Sequence, residues 1–127
     1  MTISFTIHGN QENPEGNPIP YHRSTQGAKW NPAHRRYLLW KDYVRQELHA
    51  QTEIDRSNRL DSHPFQNKAR GSVSIRIDFA DETHADPDNI VKGILDALFK
   101  TDKEIDVHTE HTCENPQGKV EVNIIIE

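Results

Sequence analysis

Hydrophobic and polar positions along this chain fall into six patterned segments separated by turn-rich stretches. ISFTIH, at 3–8, alternates apolar and polar residues with the period of two expected of a half-buried strand. GNQENPEGNPIP, at 9–20, is dense in Gly, Pro and Asn and reads as a loop, and the chain up to Trp30 has no clear period. Asn31 suits an N-cap and Pro32 a first helical position, so a helix is predicted from there to about Ala50, with Tyr37, Trp40, Tyr43, Val44 and Leu48 as its buried stripe. The polar stretch 51–70 is either a continuation of that helix or a loop. SVSIRIDF, at 72–79, is a strand by the alternation of Val73, Ile75, Ile77 and Phe79. A second helix is predicted over 87–100, with Ile90, Val91, Ile94, Leu95 and Leu98 on one face. A strand from about Glu104 to Thr112, a turn at ENPQG and a closing strand KVEVNIII complete the chain. The order β-α-β-α-β-β, without internal repeats, predicts an α+β fold with a mixed β-sheet and two main helices.

The chain has 127 residues, enough for one domain covering 1–127 but with little surplus core. Only 33% of residues are apolar and 28% are charged, which implies a thin core that a partner subunit would complete. No run approaches the ~18 apolar residues of a membrane span, and the start MTISFTIHG lacks the basic residues and long apolar stretch of a signal peptide. A cytoplasmic protein with no membrane partner is therefore expected, and the single cysteine, Cys113, suits a reducing compartment.

A net charge of −5 argues against a nucleic-acid partner until its distribution is considered. Residues 17–76 carry 11 Lys and Arg against 5 Asp and Glu, whereas residues 77–127 carry 4 against 13. The basic half interleaves cations with stackable rings: Arg23, Lys29, Arg35 and Arg36 stand among Tyr21, His22, Trp30 and Tyr37, with Lys41 one turn further on. Such a stretch suits phosphates and unpaired bases, although Tyr37 fits the core better. Phe65, with Lys68 and Arg70 in an otherwise polar segment, is a further candidate DNA contact.

The acidic half is densest where the second helix begins. Pro87 at the first helical position makes Asp86 the N-cap, its carboxylate accepting a backbone N–H at the positive end of the helix dipole. Capping accounts for one acid, but Asp78, Asp81, Glu82, Asp86 and Asp88 all fall within eleven residues. A divalent cation would offset their repulsion, and Mg²⁺ takes a few carboxylate oxygens while keeping waters or substrate phosphates as its other ligands. Lys92, one turn past Asp88, would stand where charge gathers as a phosphodiester is cut. His108, His111 and Cys113 suggest zinc, but on a strand His108 faces away from the other two, so no closed site follows. His84 is closer to the acids and has two readings, a residue that helps bind or position substrate and, the favoured one, an exposed polar residue before the cap.

DPDNIVKGILDAL, at 86–98, resembles the signature of the RusA-type Holliday junction resolvases, D-x-D-N-x-x-K followed by an apolar helix carrying D-A-L. TDKEI, at 101–105, resembles that family's next acidic element, and 16–45 resembles its N-terminal region, where a P-x-P turn and a basic aromatic stretch lead into a helix. The resemblance implies a RusA-like fold and a Mg²⁺-dependent endonuclease that resolves four-way DNA junctions by paired nicks in recombination and repair. It assigns catalysis to Asp86, Asp88, Asp102 and Lys92, the three aspartates holding the metal. Because only Phe99, Lys100 and Thr101 separate Leu98 from Asp102, both Asp102 and Asp106 remain open as the third acid. Paired cuts suit a homodimer, whose two equivalent sites match a two-fold substrate.

A helix over 87–100 would be ~20 Å long at ~1.5 Å per residue, which places Asp102 at the far end from Asp86 and Asp88. Either the following strand runs back and delivers Asp106, or two copies pair and Asp102 of one joins Asp86 and Asp88 of the other. The second arrangement is favoured, because the motif match points to Asp102. Two other functions stay open: a catalytically inactive junction-binding protein, and a metal-dependent phosphohydrolase acting on a small substrate.

Overall fold

In the computed structural model, residues 1–23, 30–54, 63–66, 68–114 and 116–127 are described. Residues 24–29, which include Lys29, residues 55–62 of the polar stretch, and Asn67 and Asn115 lie outside the described residues. The elements are β1 (Thr2–His8), α1 (Pro32–Gln51), β2 (Arg70–Asp78), α2 (Pro87–Leu98), β3 (Glu104–Thr112) and β4 (Lys119–Ile126). This is the predicted order, and it forms one mixed four-stranded sheet arranged β1-β4-β2-β3. The β1–β4 and β4–β2 pairs are antiparallel; β2 and β3 are parallel, joined through α2.

Period-two alternation becomes a core through register. Ile3, Ile124 and Val73 form one row across β1, β4 and β2; Phe5, Val122 and Ile75 form the next, and Ile7, Val120 and Ile77 the third. All nine are buried. The rows do not extend to β3, where Val107, Thr109 and His111 stand opposite Val73, Ile75 and Ile77 but are exposed. At about 25 cal/mol per Å² of apolar surface removed from water, these rows and the helices above them supply most of the drive to fold.

Asn31 caps α1 as expected, its Oδ1 accepting from Ala33 N at 2.9 Å, with Pro32 beginning the helix. Trp40, Val44 and Leu48 are fully buried, and Tyr37 nearly so. Tyr43 instead sits at the edge of the stripe, half-buried, with its hydroxyl donating to His8 O at 2.6 Å. His34, Arg45 and His49 share the buried side of α1.

The second helix stops at Leu98, two residues earlier than its pattern predicts. Phe99 turns extended and forms an isolated parallel bridge with Phe65, in which Phe65 N donates to Leu98 O at 3.0 Å and Lys100 N to Phe65 O at 3.1 Å. Their rings stack with centroids 4.9 Å apart. Arg45 Nε of α1 donates to Ala97 O at 2.8 Å, giving a carbonyl in the last turn of α2 a cationic partner. Gly93 allows the close approach on the other side: a Cβ there would lie 3.2 Å from Tyr37 Cε1 and 3.3 Å from Tyr21 N. Among the described residues no helix is long and apolar enough to cross a membrane.

Candidate active site at the start of helix α2

The residues singled out in the motif lie where β2 gives way to α2. Asp86 is the N-cap, and its Oδ1 accepts from Asp88 N at 2.9 Å. Capping and metal binding are compatible here, since one carboxylate oxygen holds the backbone and the second is left over. Asp88, in the first turn, is exposed, as is Lys92 one turn on. The Lys92 ammonium lies 4.3 Å from the centroid of the Tyr21 ring, within the range of a cation–π contact.

Tyr21 is itself held from two sides. Its backbone N donates to Asn89 O at 3.0 Å, and its ring meets Tyr37 edge to face at 5.3 Å. The Tyr37 hydroxyl donates to Asp96 Oδ2 at 2.5 Å, and Lys41 Nζ reaches the same oxygen at 3.2 Å. A continuous chain of contacts thus runs from Lys92 through Tyr21 and Tyr37 to Asp96 and Lys41. Burial alone would raise the Asp96 carboxyl, but the Tyr37 hydrogen bond and the Lys41 ammonium outweigh it and hold the group below the usual carboxylate range. Burial, and then the bond to Asp96, push the Tyr37 phenol far above its ordinary value. His63 is lowered by burial and then by Arg45.

The acids around the cap do not form one cluster. Asp78 faces Arg76 at 3.6 Å and Lys119 at 4.0 Å. Asp81 Oδ1 accepts from Thr83 N at 2.9 Å and from the Asn17 side chain at 3.3 Å. Their repulsion is therefore relieved separately, on a strand end, a loop and a helix cap, and a cation is not required for that purpose. Among the described residues no group of three or more His, Cys, Asp or Glu side chains could hold a metal ion. What one chain offers is a pair of hard oxygen donors, Asp86 and Asp88, a partial set that suits an ion keeping several waters.

Neither candidate third acid reaches them in the same chain. Glu104 pairs with Arg70 and Thr112 with Asp78, so β3 does run back toward the start of α2. Asp106, however, lies opposite Ser72, six residues or ~20 Å short of Asp78 at ~3.3 Å per residue. Asp102 precedes β3, its carbonyl accepting from Ile105 N at 3.1 Å, at the end of the unit where α2 finishes. The strand does return, but the residues it brings back to that end are Glu110, His111 and Thr112.

The candidate DNA contacts are dispersed. Arg23 and Arg35 are exposed, and Lys29 lies outside the described residues. Arg36 pairs with Glu12 at 2.6 Å, and Lys68 and Arg70 converge on Glu104 at 3.0 and 2.9 Å. These pairs are on the surface, where solvent screening weakens them, and can be exchanged for phosphate. Lys41 is different: its side chain is only 17% exposed and is committed to Asp96. Phe65 stacks on Phe99 instead of standing free. On β3, His108 lies opposite Ser74 and His111 opposite Ile77, while His111 and Cys113 both approach Phe79.

Sequence reasoning missed the part of Tyr21 in holding Lys92, grouping it with the rings available to bases. The available signal was its place directly after the P-x-P turn. A scan against protein-family models finds no match, and a search of curated proteins finds none either.

Proposed function

We propose that this protein is a Mg²⁺-dependent, structure-selective endodeoxyribonuclease of the RusA type that nicks four-way DNA junctions in pairs, acting as a homodimer. The observation that carries the reading is the presentation of the motif: Asp86 caps one helix and Asp88 and Lys92 follow on its first two turns, all three exposed and the lysine held over an aromatic ring. Asp86 and Asp88 would hold Mg²⁺, which supplies Lewis-acid stabilisation of the attacked phosphate and a more acidic water. Lys92 places a positive charge one turn away, where it meets negative charge growing on the phosphoryl or leaving oxygen. Tyr21 fixes the direction of that ammonium through the face of its ring. Asp102, remote from the pair within its own chain, is assigned to the site of a second copy.

A second reading, a metal-dependent phosphohydrolase acting on a small substrate, is favoured by one observation: Arg36, Lys41, Lys68 and Arg70 already have carboxylate partners. Incubation with a synthetic four-way junction, with and without Mg²⁺, separates the two. Symmetric Mg²⁺-dependent nicks support the resolvase; no nicks, with hydrolysis of a small phosphodiester, support the phosphohydrolase. Junction binding without nicks in either case identifies a binding protein.

A further inference from the structure

Beside the start of α2, the loop after β1 and the loop after β2 enclose a cleft of about 510 Å³, lined among others by Asn13, Asn17, Pro18, Pro20, Arg36 and His84. Its most ordered feature is His84. The imidazole lies flat on the Phe79 ring, centroids 3.5 Å apart and planes 6° from parallel. Phe79 is buried in the core, whereas His84 is exposed, so one imidazole face is fixed and the other is available. His84 Nδ1 donates to Ala85 O at 2.8 Å, which sets the plane of the ring.

The walls are preformed as well. Asn17 ties the two loops together, its Oδ1 accepting from Ala80 N at 2.6 Å and its Nδ2 donating to Thr83 O at 3.2 Å. Of the charges facing the cleft, Arg36 is paired with Glu12 at 2.6 Å, and the Asp81 carboxylate accepts hydrogen bonds from Thr83 N at 2.9 Å and Asn17 Nδ2 at 3.3 Å. Such a cleft presents amides, prolines and one flat ring with no unmatched cation for a phosphate. That chemistry fits a neutral, planar heterocycle with a polar edge, and the volume exceeds what one such ring needs.

We propose that this cleft is a nucleobase subsite in which an unpaired base stacks on the outer face of His84. The inference rests on the proposed function and names the feature of the substrate that function would meet, a base unstacked at a branch point, received by a residue two positions before Asp86. A base can also arrive on a free nucleoside. Stacking on an aromatic ring contributes ~1–3 kcal/mol per base, or roughly fivefold to a hundredfold in affinity.

The test uses the full chain without divalent metal, so that no cleavage is needed. The probes are a four-way junction with an unpaired 2-aminopurine at the branch, a fully paired linear duplex, and 2-aminopurine riboside. Wild-type protein should quench the aminopurine in the junction; His84→Ala should bind that junction about tenfold more weakly without quenching, and His84→Phe should stay within about threefold of wild type. Affinity for the linear duplex should be the same for all three. Quenching of the riboside as well would identify a free nucleoside as a sufficient occupant; quenching of the junction alone would assign the site to a DNA strand. Equal affinity and equal quenching for wild type and His84→Ala would overturn the subsite, as would the absence of quenching with wild type. Should His84→Ala unfold, amide shifts of the wild-type protein with riboside decide: shifts centred on Asn17, Ala80 and Thr83 support the cleft, and shifts elsewhere overturn it. Loss of Mg²⁺-dependent nicking with stacking intact would refute the nuclease alone.

Discussion

The two ends of α2 carry similar residues at equal spacing and place them in different surroundings. Asp88, Lys92 and Asp96 follow one another every four residues on the polar face. At the first end Asp88 and Lys92 are exposed, while at the second end Asp96 lies under α1, bonded to Tyr37 and Lys41. Helical spacing decides which face a charge occupies, and the element crossing that face decides its depth. One end is therefore open to solvent and the other holds two helices together.

Substitutions at the two ends should separate activity from stability. Asp88→Asn should lower Mg²⁺-dependent junction nicking by about a thousandfold or more, because the metal loses a ligand, while stability stays within ~0.5 kcal/mol as for an exposed substitution. Junction binding should be kept or tightened, since a negative charge is removed. Nicking within severalfold of wild type, measured in single turnover, would remove Asp88 from the site.

Lys92→Ala should reduce the rate about a hundredfold with little change in affinity, as for a group that meets charge in the transition state. Tyr21 then sharpens the comparison. Tyr21→Phe keeps the ring under the ammonium and should stay near wild type, whereas Tyr21→Leu should lower kcat about tenfold, the effect of a misdirected charge. Equal rates for the Phe and Leu variants would show that the ring does not direct Lys92.

At the other end, Asp96→Ala should cost about 1–3 kcal/mol of stability, since Tyr37 and Lys41 lose a half-buried acceptor. The loss should depend on pH. The folded Asp96 carboxyl titrates below its unfolded value, so its contribution is fully present above about pH 4 and is lost as pH falls through the depressed folded value. Denaturant midpoints of wild type and Asp96→Ala should therefore differ most near neutrality and converge in acid. A constant gap down to pH 2 would mean that Asp96 stabilises without its charge.

Much of this was legible before any coordinates. The buried faces of β1, β2 and β4 followed from period-two alternation, and the Asp86 cap from the D-P-D order, because both depend on neighbours in sequence. The end of α2 was not, because Phe99 leaves the helix for Phe65, far away in the chain. Nor was the fate of the cations: Glu12 and Glu104, which neutralise Arg36, Lys68 and Arg70, lie outside the basic half altogether. Lys41 looked like a phosphate contact because nothing local reveals that α1 crosses Asp96. For His84 the plain polar reading was favoured over a substrate-positioning one, because a flat stack on Phe79 has no periodic signature.

The smallest predicted effect concerns salt. Log affinity for junction DNA should fall roughly linearly with log salt despite the net charge of −5. Removing Arg35 and Arg36 together should flatten the slope by about one or two units, and Lys41→Ala should leave it unchanged while destabilising the fold. A slope altered by Lys41 as much as by Arg36 would mean that its bond to Asp96 opens on DNA.

Asp102 and Asp106 stand at the far end of the β2–α2–β3 unit from Asp86 and Asp88, so a site that takes either of them as its third acid requires two copies of the chain. Mixing Asp88→Asn subunits with Asp102→Asn subunits tests this most directly. Each variant alone should be inactive. In a heterodimer a shared site places both lesions in one centre and leaves the other intact, so an equal mixture should recover about a quarter of wild-type nicking, mostly as single nicks. If heterodimers form and the mixture stays inactive, the site is not shared between subunits and the account is wrong.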